Sequence, residues 1–290
     1  MNGLILDFEH FAIHDGPGVR LVVFLKGCPL RCIWCHTPES QSGKTELVYQ
    51  QEHCLHCGGC GNLFEKIPLN DLTLNDLQAV ENCPCGALTA AGKLISAEAV
   101  IAEAVKERKF FEESGGGLTV SGGEVLFQKQ FTLELLRLAK ANDISCCIET
   151  CGFGKFSDLA DFLPLTEVFL YDFKATGAQT HKQLTGVDNT LIVENLQRLS
   201  DANARIHLRC PLIPTVNDSD EHLLNIAATA EKLDGIEEVH VIPYHPMARG
   251  KYQALGRKCA KLPQDFPAQE VVDYYVKTIA AHTGKKVLVP

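Results

Sequence analysis

Along most of the chain, short runs of nearly continuous apolar residues alternate with longer stretches in which apolar positions recur every three or four residues. The short runs are LVVFLKG (21–27), LTVSGG (118–123), SCCIET (145–150), EVFLYDFK (167–174), RIHLRCPLI (205–213) and EEVHVIPY (237–244). Such runs are expected of strands buried on both faces. The stretches between them predict helices: SAEAVIAEAVKERKFFEE with Ser96 as N-cap, QFTLELLRLAKAN, SDLADFL, TLIVENLQRLSDAN, SDEHLLNIAATAEKLDG with Gly235 at C′, and AQEVVDYYVKTIAAHTG. Six strand-then-helix units imply a parallel sheet with right-handed crossovers. Six are too few for a closed eight-stranded barrel, so the expected α/β fold is a curved, partly open (βα)6 barrel. Sheets of this kind gather chemistry at the strand C-termini. Ser121-Gly122-Gly123-Glu124, Glu149-Thr150, Asp172-Phe173-Lys174, Arg209 and His245 all fall at or just after predicted strand ends.

Residues 50–91 break this rhythm. QEHCLHCGGCGNLF…ENCPCGAL is rich in Cys, Gly and Asn and has little periodicity, so it is expected to be an insert after the first strand. The predicted organisation is a discontinuous core, 1–49 and 92–290, interrupted by an insert, 50–91.

Composition narrows the classes. Of 290 residues, 46% are hydrophobic, enough for a sizeable core, and the net charge is −9 with no Lys/Arg run, which disfavours nucleic acid. MNGLILDFEH lacks the basic start of a signal peptide, and no apolar run reaches a membrane span. A cytoplasmic protein is therefore expected, and 13 cysteines in a reducing compartment point to metal before disulfides.

Two cysteine sets stand out. Cys28, Cys32 and Cys35 follow the first strand as C-x3-C-x2-C. Three thiolates can hold three irons of a 4Fe–4S cluster and leave the fourth open, and an open metal position is a reactive one. Structural zinc is the alternative, but it needs a fourth ligand, and His36 beside Cys35 is poorly placed to close a tetrahedron. In the insert, Cys54, Cys57 and Cys60 have ferredoxin spacing, and Cys83-Pro84 supplies the fourth element. These four would close a second 4Fe–4S cluster. Cys85, His53 or His56 as a ligand, and zinc in place of iron, are the other readings.

C-x3-C-x-φ-C with Trp34 as the aromatic, followed by Ser121-Gly122-Gly123-Glu124, resembles the signature of the radical S-adenosylmethionine (SAM) superfamily. HDGPGVR (14–20), SGGEVLFQ (121–128), YDFK (171–174) followed by HKQLTGV (181–187), and VIPYH (241–245) resemble the glycyl-radical-enzyme activating enzymes, the group that includes pyruvate formate-lyase activating enzyme. The resemblance implies that SAM completes the open iron. Gly122 and Gly123 would admit its methionyl group and Glu124 would bind its ammonium. Arg209 would lie near its carboxylate, Trp34 and His36 by the adenine, and Lys174 and His245 along the pocket. It also implies that Asp15 faces the partner's glycine loop. Glu149, Thr150 and Asp172 match a site near SAM able to hold a monovalent cation; Glu149 stands where pyruvate formate-lyase activators usually carry Asp.

The implied function is reductive cleavage of SAM to a 5′-deoxyadenosyl radical, which installs a glycyl radical on a partner enzyme, with flavodoxin or ferredoxin as electron donor. No nucleic acid or membrane partner is expected. The rivals are a radical SAM enzyme acting on a small molecule or another peptide, and a non-enzymatic iron–sulfur electron carrier.

Overall fold

The computed structural model describes residues 1–70 and 72–290. Its strands are β1 (Asn2–Ala12), β2 (Arg20–Leu25), β3 (Glu46–Tyr49), β4 (Leu88–Ala91), β5 (Lys93–Ser96), β6 (Gly117–Gly122), β7 (Ser145–Thr150), β8 (Val168–Asp172), β9 (Ile206–Leu212), β10 (Ile236–Pro243) and β11 (Lys286–Leu288). Nine of them form one sheet in the order β11-β10-β9-β8-β7-β6-β2-β1-β5. From β2 through β11 every neighbouring pair is parallel. The six apolar runs become the six strands β2 and β6 to β10, each within two residues of its expected bounds. β11 and β5 are its two edges, so the barrel is partial.

Three strands of this sheet escape the periodicity argument. β1 and β5 extend the β2 edge in antiparallel pairing, and β11 adds three residues beside β10. β1 is only half buried and β5 carries no fully buried residue, as edge strands allow, so neither reads as a continuous apolar run. The core lies between the outer faces of β2 and β6 to β10 and the helices packed on them, with Leu21, Val23, Leu118, Val120, Ile148, Phe169, Leu208 and Val241 among its buried members.

Two helix expectations need correction. The predicted helix from Ser96 starts as expected, with the Ser96 side chain accepting from the Ala99 amide, but it breaks into Ala97–Lys106 and Arg108–Ser114. The break is at Glu107, which is buried and pairs with His10 on β1; that tertiary contact overrides helix continuation. Asp220–Lys232 ends on Leu233, so Gly235 is not its C′ residue. Gly235 is needed for a different reason: a Cβ there would lie 2.9 Å from Ser200 Cα and 2.7 Å from the Ala204 carbonyl oxygen.

Between β2 and β5, strands β3 and β4 pair antiparallel and frame a small separate core of Leu47, Leu63 and Leu88 with Tyr49 and Phe64 stacked beside it, ring centroids 4.8 Å apart. No helix among the described residues is long and apolar enough to cross a membrane.

Candidate active site

The C-terminal ends of the parallel strands surround a cavity of about 340 Å³. Cys28, Cys32, Cys35, Trp34, His36, Gly122, Gly123, Glu149, Thr150, Asp172, Lys174, Arg209, His245 and Asp15 all line it. Residues separated by more than 200 positions thus meet because a parallel sheet brings every strand end to one rim.

The three-cysteine loop leaves β2 at Leu25 and is held from three sides. The Gly27 amide donates to Ser40 O at 2.7 Å and the Cys28 amide to Gln41 O at 3.1 Å. Arg31 and Ile33 amides donate to Thr185 O and Leu184 O, so the HKQLTGV segment acts as the loop's buttress. His181 in that segment is buried, with Nδ1 2.7 Å from Val187 O, which fixes the end of its helix. Beneath the loop, Lys26 and Glu46 form a buried ion pair at 3.1 Å, and Arg257 also engages Glu46. Gln41, which the sequence did not single out, lines the cavity, and its side chain hydrogen-bonds Cys35.

Burial pushes the thiols of Cys28 and Cys32 up to about 12 and raises that of Cys35. Such thiols become thiolates when a bound metal supplies the compensating positive charge. Cys151 also lines the cavity, but its Sγ donates to Glu124 Oε2 at 2.8 Å and is tied away from the trio.

The two glycines after β6 have a structural requirement beyond the one expected. Gly122 has φ +115°, and a Cβ on it would meet the Leu25 amide nitrogen at 2.1 Å. A Cβ on Gly123 would meet Gly27 O at 2.3 Å. Their absent side chains let β6 lie directly against the cysteine loop, with the Gly123 amide bonded to Leu25 O and the Glu124 amide to Gly27 O, both at 2.8 Å.

Glu124 differs from expectation. Its carboxylate does not line the cavity; it is 1% exposed and turned inward. Thr150 Oγ1 donates to it at 2.7 Å, and the Cys151 amide and thiol each at 2.8 Å. Burial pushes its pKa up, while these bonds favour the anion. Glu124 therefore ties β6 to β7, and its charge does not face a ligand.

The polar rim is a network of ion pairs. Arg209 Nε is 3.0 Å from Glu149 Oε1, its Nη1 donates to His14 O at 2.8 Å, and its Nη2 is 3.7 Å from Asp15. Ser121 Oγ donates to Glu149. Lys174 Nζ is 2.8 Å from Asp172. Burial opposes the Lys174 charge, but Asp172 together with the Cys32 and Cys151 sulfurs outweighs it and holds its pKa well above the ordinary lysine value. Glu149, Thr150 and Asp172 all line the cavity, and each also bonds a different protein partner, Arg209, Glu124 and Lys174 respectively. At the far wall, the His36 and His245 rings meet edge-on with centroids 3.7 Å apart. Burial and then His245 push the His36 pKa down to about 4, so its imidazole is neutral at pH 7.

The HDGPGVR segment is anchored from below by Arg20, which is fully buried. Its guanidinium donates to Leu118 O at 2.6 Å, Thr119 Oγ1 at 3.0 Å and Pro17 O at 3.2 Å, and Thr119 Oγ1 donates to Asp15 O at 2.6 Å. These contacts present Asp15 at the mouth. Burial, then repulsion from Glu149, raise the Asp15 pKa to about 6 against the pull of Arg209. Between pH 3.8 and about 6 the folded state holds the proton and the unfolded state does not, so stability falls as pH rises through this window. Asp15→Asn is expected to remove that fall, worth about 2 kcal/mol between pH 4 and pH 7. Denaturant unfolding of both proteins at the two pH values checks it; parallel pH profiles refute it.

A second cysteine cavity, about 90 Å³, lies in the segment between β3 and β4. Cys54, Cys57, Cys60, Cys83 and Cys85 line it together with His56, Tyr49 and Phe64. Cys83 Sγ and Cys85 Sγ are 3.8 Å apart, so both reach the same space. Amides of Leu88, Cys85 and Ala87 bond the Cys83 sulfur and lower its pKa. Neither cysteine set has three sulfurs all within 4.8 Å of one another, whereas a tetrahedral zinc would bring them to about 3.8 Å.

Comparison with known proteins agrees with this geometry. Residues 22–227 match the family model of the radical SAM superfamily. The chain is 35% identical over 273 residues to an isethionate sulfite-lyase activating enzyme of Oleidesulfovibrio alaskensis, covering 88% of each chain. It is 35% identical over 286 residues to a trans-4-hydroxy-L-proline dehydratase activating enzyme of Clostridioides difficile, covering 94% of each. Among solved structures, a domain of a pyruvate-formate lyase-activating enzyme from Bacteroides vulgatus superposes with a TM-score of 0.51 at 23% identity, over 60% of this chain and 99% of that one, which speaks for the fold. A family match over most of the parallel core, together with a three-cysteine loop opening on a cavity at the strand ends, places the chain in the radical SAM superfamily, among the activating enzymes of glycyl radical enzymes.

Proposed function

We propose that Cys28, Cys32 and Cys35 hold the family's 4Fe–4S cluster at the floor of the 340 Å³ cavity, and that SAM occupies the space above it. When bound, the pair supplies reductive cleavage of SAM to a 5′-deoxyadenosyl radical. The observation that carries this reading is that the three thiols share one cavity with the cation–carboxylate rim, while the fourth nearby thiol, Cys151, is bonded to Glu124.

The residues of the chain have separable tasks. Gly122 and Gly123 open the wall beside the cysteine loop, and their backbone is the group that can meet an amino acid moiety. Arg209 and Lys174 are the cationic side chains at the cavity and suit a carboxylate. His36 in its neutral form, with Trp34 and His245, offers ring faces and edges to a purine. Glu149 and Asp172 hold Arg209 and Lys174 in place. Asp15 stands at the mouth, where a substrate segment would enter, and enclosure by β2 and β6 to β10 keeps water from a reactive carbon radical.

The substrate on this reading is a glycine Cα–H of a partner glycyl radical enzyme; the relatives are named as activating enzymes of a sulfite-lyase and of a dehydratase. Residues 50–91, clasped by β3 and β4, form a ferredoxin-like insert in which Cys54, Cys57, Cys60 and Cys83 hold a second 4Fe–4S cluster. Its closed ligand set suits electron passage from flavodoxin or ferredoxin, and the protein on this reading is cytoplasmic.

The test is anaerobic reconstitution followed by incubation with reductant, SAM and a candidate glycyl radical enzyme. A glycyl radical EPR signal on the partner, with 5′-deoxyadenosine formed in step, is expected. Deoxyadenosine without any protein radical would favour a small-molecule substrate. Iron analysis should give about eight irons per chain, falling to about four in Cys57→Ala with the SAM-dependent EPR change retained. About four in the unmodified protein would refute the insert assignment.

A further inference from the structure

A group outside this machinery shows ligand geometry of its own. His207 on β9 pairs in register with Glu238 on β10, and His240 pairs with Arg209. Residues two apart in a strand share a face, so His207, Glu238 and His240 lie on the face that Arg209 turns to the cavity, toward the strand N-termini. They are the only His/Cys/Asp/Glu trio among the described residues whose ligand atoms all lie within 4.8 Å of one another.

His240 Nε2 is 2.9 Å and His207 Nδ1 is 4.0 Å from the same oxygen, Glu238 Oε2. Both imidazoles are more than nine-tenths buried, and the Nδ1 atom of each lacks a hydrogen-bond partner. Buried polar nitrogens are rarely left so, and of the two it is His207 Nδ1 that is aimed at Glu238 Oε2. Lys286 Nζ takes Glu238 Oε1 at 2.7 Å, so Oε2 is the oxygen turned to the two imidazoles. His207 Nε2 faces Glu237 Oε2 at 3.8 Å, an outer carboxylate of the kind that orients metal-bound imidazoles. Burial lowers the pKa of both histidines, to about 4 for His207, so each keeps a lone pair at pH 7.

We propose that His207 Nδ1, His240 Nε2 and Glu238 Oε2 form a site for one divalent cation of the zinc class, joining β9 to β10 beside the strand segment that carries Arg209. Tetrahedral coordination by nitrogen and oxygen puts ligand atoms about 3.3 Å apart, between the 2.9 and 4.0 Å separations already present. Two imidazoles and one carboxylate favour zinc, cobalt or nickel over magnesium or calcium, which prefer all-oxygen sets. The cation joins three ligands from two strands and takes up the otherwise unpartnered His207 Nδ1.

The experiment uses the full chain with its iron–sulfur clusters reconstituted, dialysed against chelator-buffered zinc. About one zinc per chain above the iron content is expected, and zinc X-ray absorption should show nitrogen and oxygen neighbours with imidazole scattering. The double variant His207→Gln, His240→Gln should weaken zinc binding at least about tenfold with iron and sulfide unchanged. No retained zinc, sulfur neighbours in the absorption spectrum, or equal zinc in the variant overturns the site. If the variant also loses iron, the absorption spectrum of the unmodified protein decides.

Discussion

Cys32→Ala is expected to reduce 5′-deoxyadenosine formation from SAM by at least about a thousandfold, to the detection limit, because it removes a primary metal ligand. The loop offers three thiols to one cavity, and no further thiol there is free to replace a lost one, since Cys151 Sγ is bonded to Glu124. Burial raises the Cys32 thiol to about 12, so a thiolate exists there only when metal charge supports it. Cys32 is half-buried in a loop outside the hydrophobic core, so alanine costs little packing and the loss would come from the cluster and not from unfolding. Iron per chain should fall from about eight to about four, and circular dichroism should match the unmodified protein. A Cys32→Ala protein with a full iron complement and undiminished deoxyadenosine formation would refute the assignment of this loop.

The second large effect is expected from Gly123→Ala. This glycine is outside the left-handed region, so the conflict is one of space and not of backbone conformation. An added Cβ would lie 2.3 Å from Gly27 O and 2.9 Å from Ser40 O. Both atoms are backbone acceptors that hold the cysteine loop: Gly27 O accepts from the Glu124 amide, and Ser40 O from the Gly27 amide. Neither can rotate away as a side chain would, so the loop carrying Cys28 must shift or two hydrogen bonds must lengthen. Overpacking of this kind costs about 3 kcal/mol, or about 5 °C in melting temperature for a chain of this size. SAM cleavage should fall with it, because the displaced residues border Cys28. Gly250→Ala is the matched control: it sits in the helix Arg249–Ala254 with nothing within 4 Å of the new methyl, and should stabilise by about 0.5 kcal/mol. Calorimetry of the two variants side by side, with identical melting temperatures for Gly123→Ala and the unmodified protein, would count against this account of the glycine pair.

Much of the site was legible before any coordinates. The C-x3-C-x2-C spacing, the residues at the ends of the six apolar runs and the SGGE, YDFK and VIPYH stretches all pointed to one rim, and the structure places nearly all of them there. What misled was inference about direction. Glu124 was expected to face a ligand, yet three hydrogen-bond donors from Thr150 and Cys151 hold it inward. Nothing in a linear pattern says on which side of a turn a carboxylate will find its donors. The triad Glu149, Thr150 and Asp172 was grouped by analogy, and the sequence did not show that each also bonds a separate protein partner. Gln41, the Lys26–Glu46–Arg257 network and the His207–Glu238–His240 group left no sequence signal, because their members are far apart in the chain or isolated within strands.

Sequence alone determined the alternation of strand and helix, and through it the parallel sheet, since a buried strand must be apolar on both faces and its crossover helix on one. It also determined which thiols are close, because cysteines three and four residues apart in a loop cannot be far apart in space. Tertiary structure decided the rest: the antiparallel extension by β1 and β5, the break at Glu107, the inward turn of Glu124 and the pairing of Arg209 with Glu149. Apart from the β1–β2 pairing, each of these depends on a partner more than twenty-five residues away. Hydrogen bonds and ion pairs are directional and short in range, so their outcome is set by where the packed sheet brings two strand ends, which periodicity does not encode.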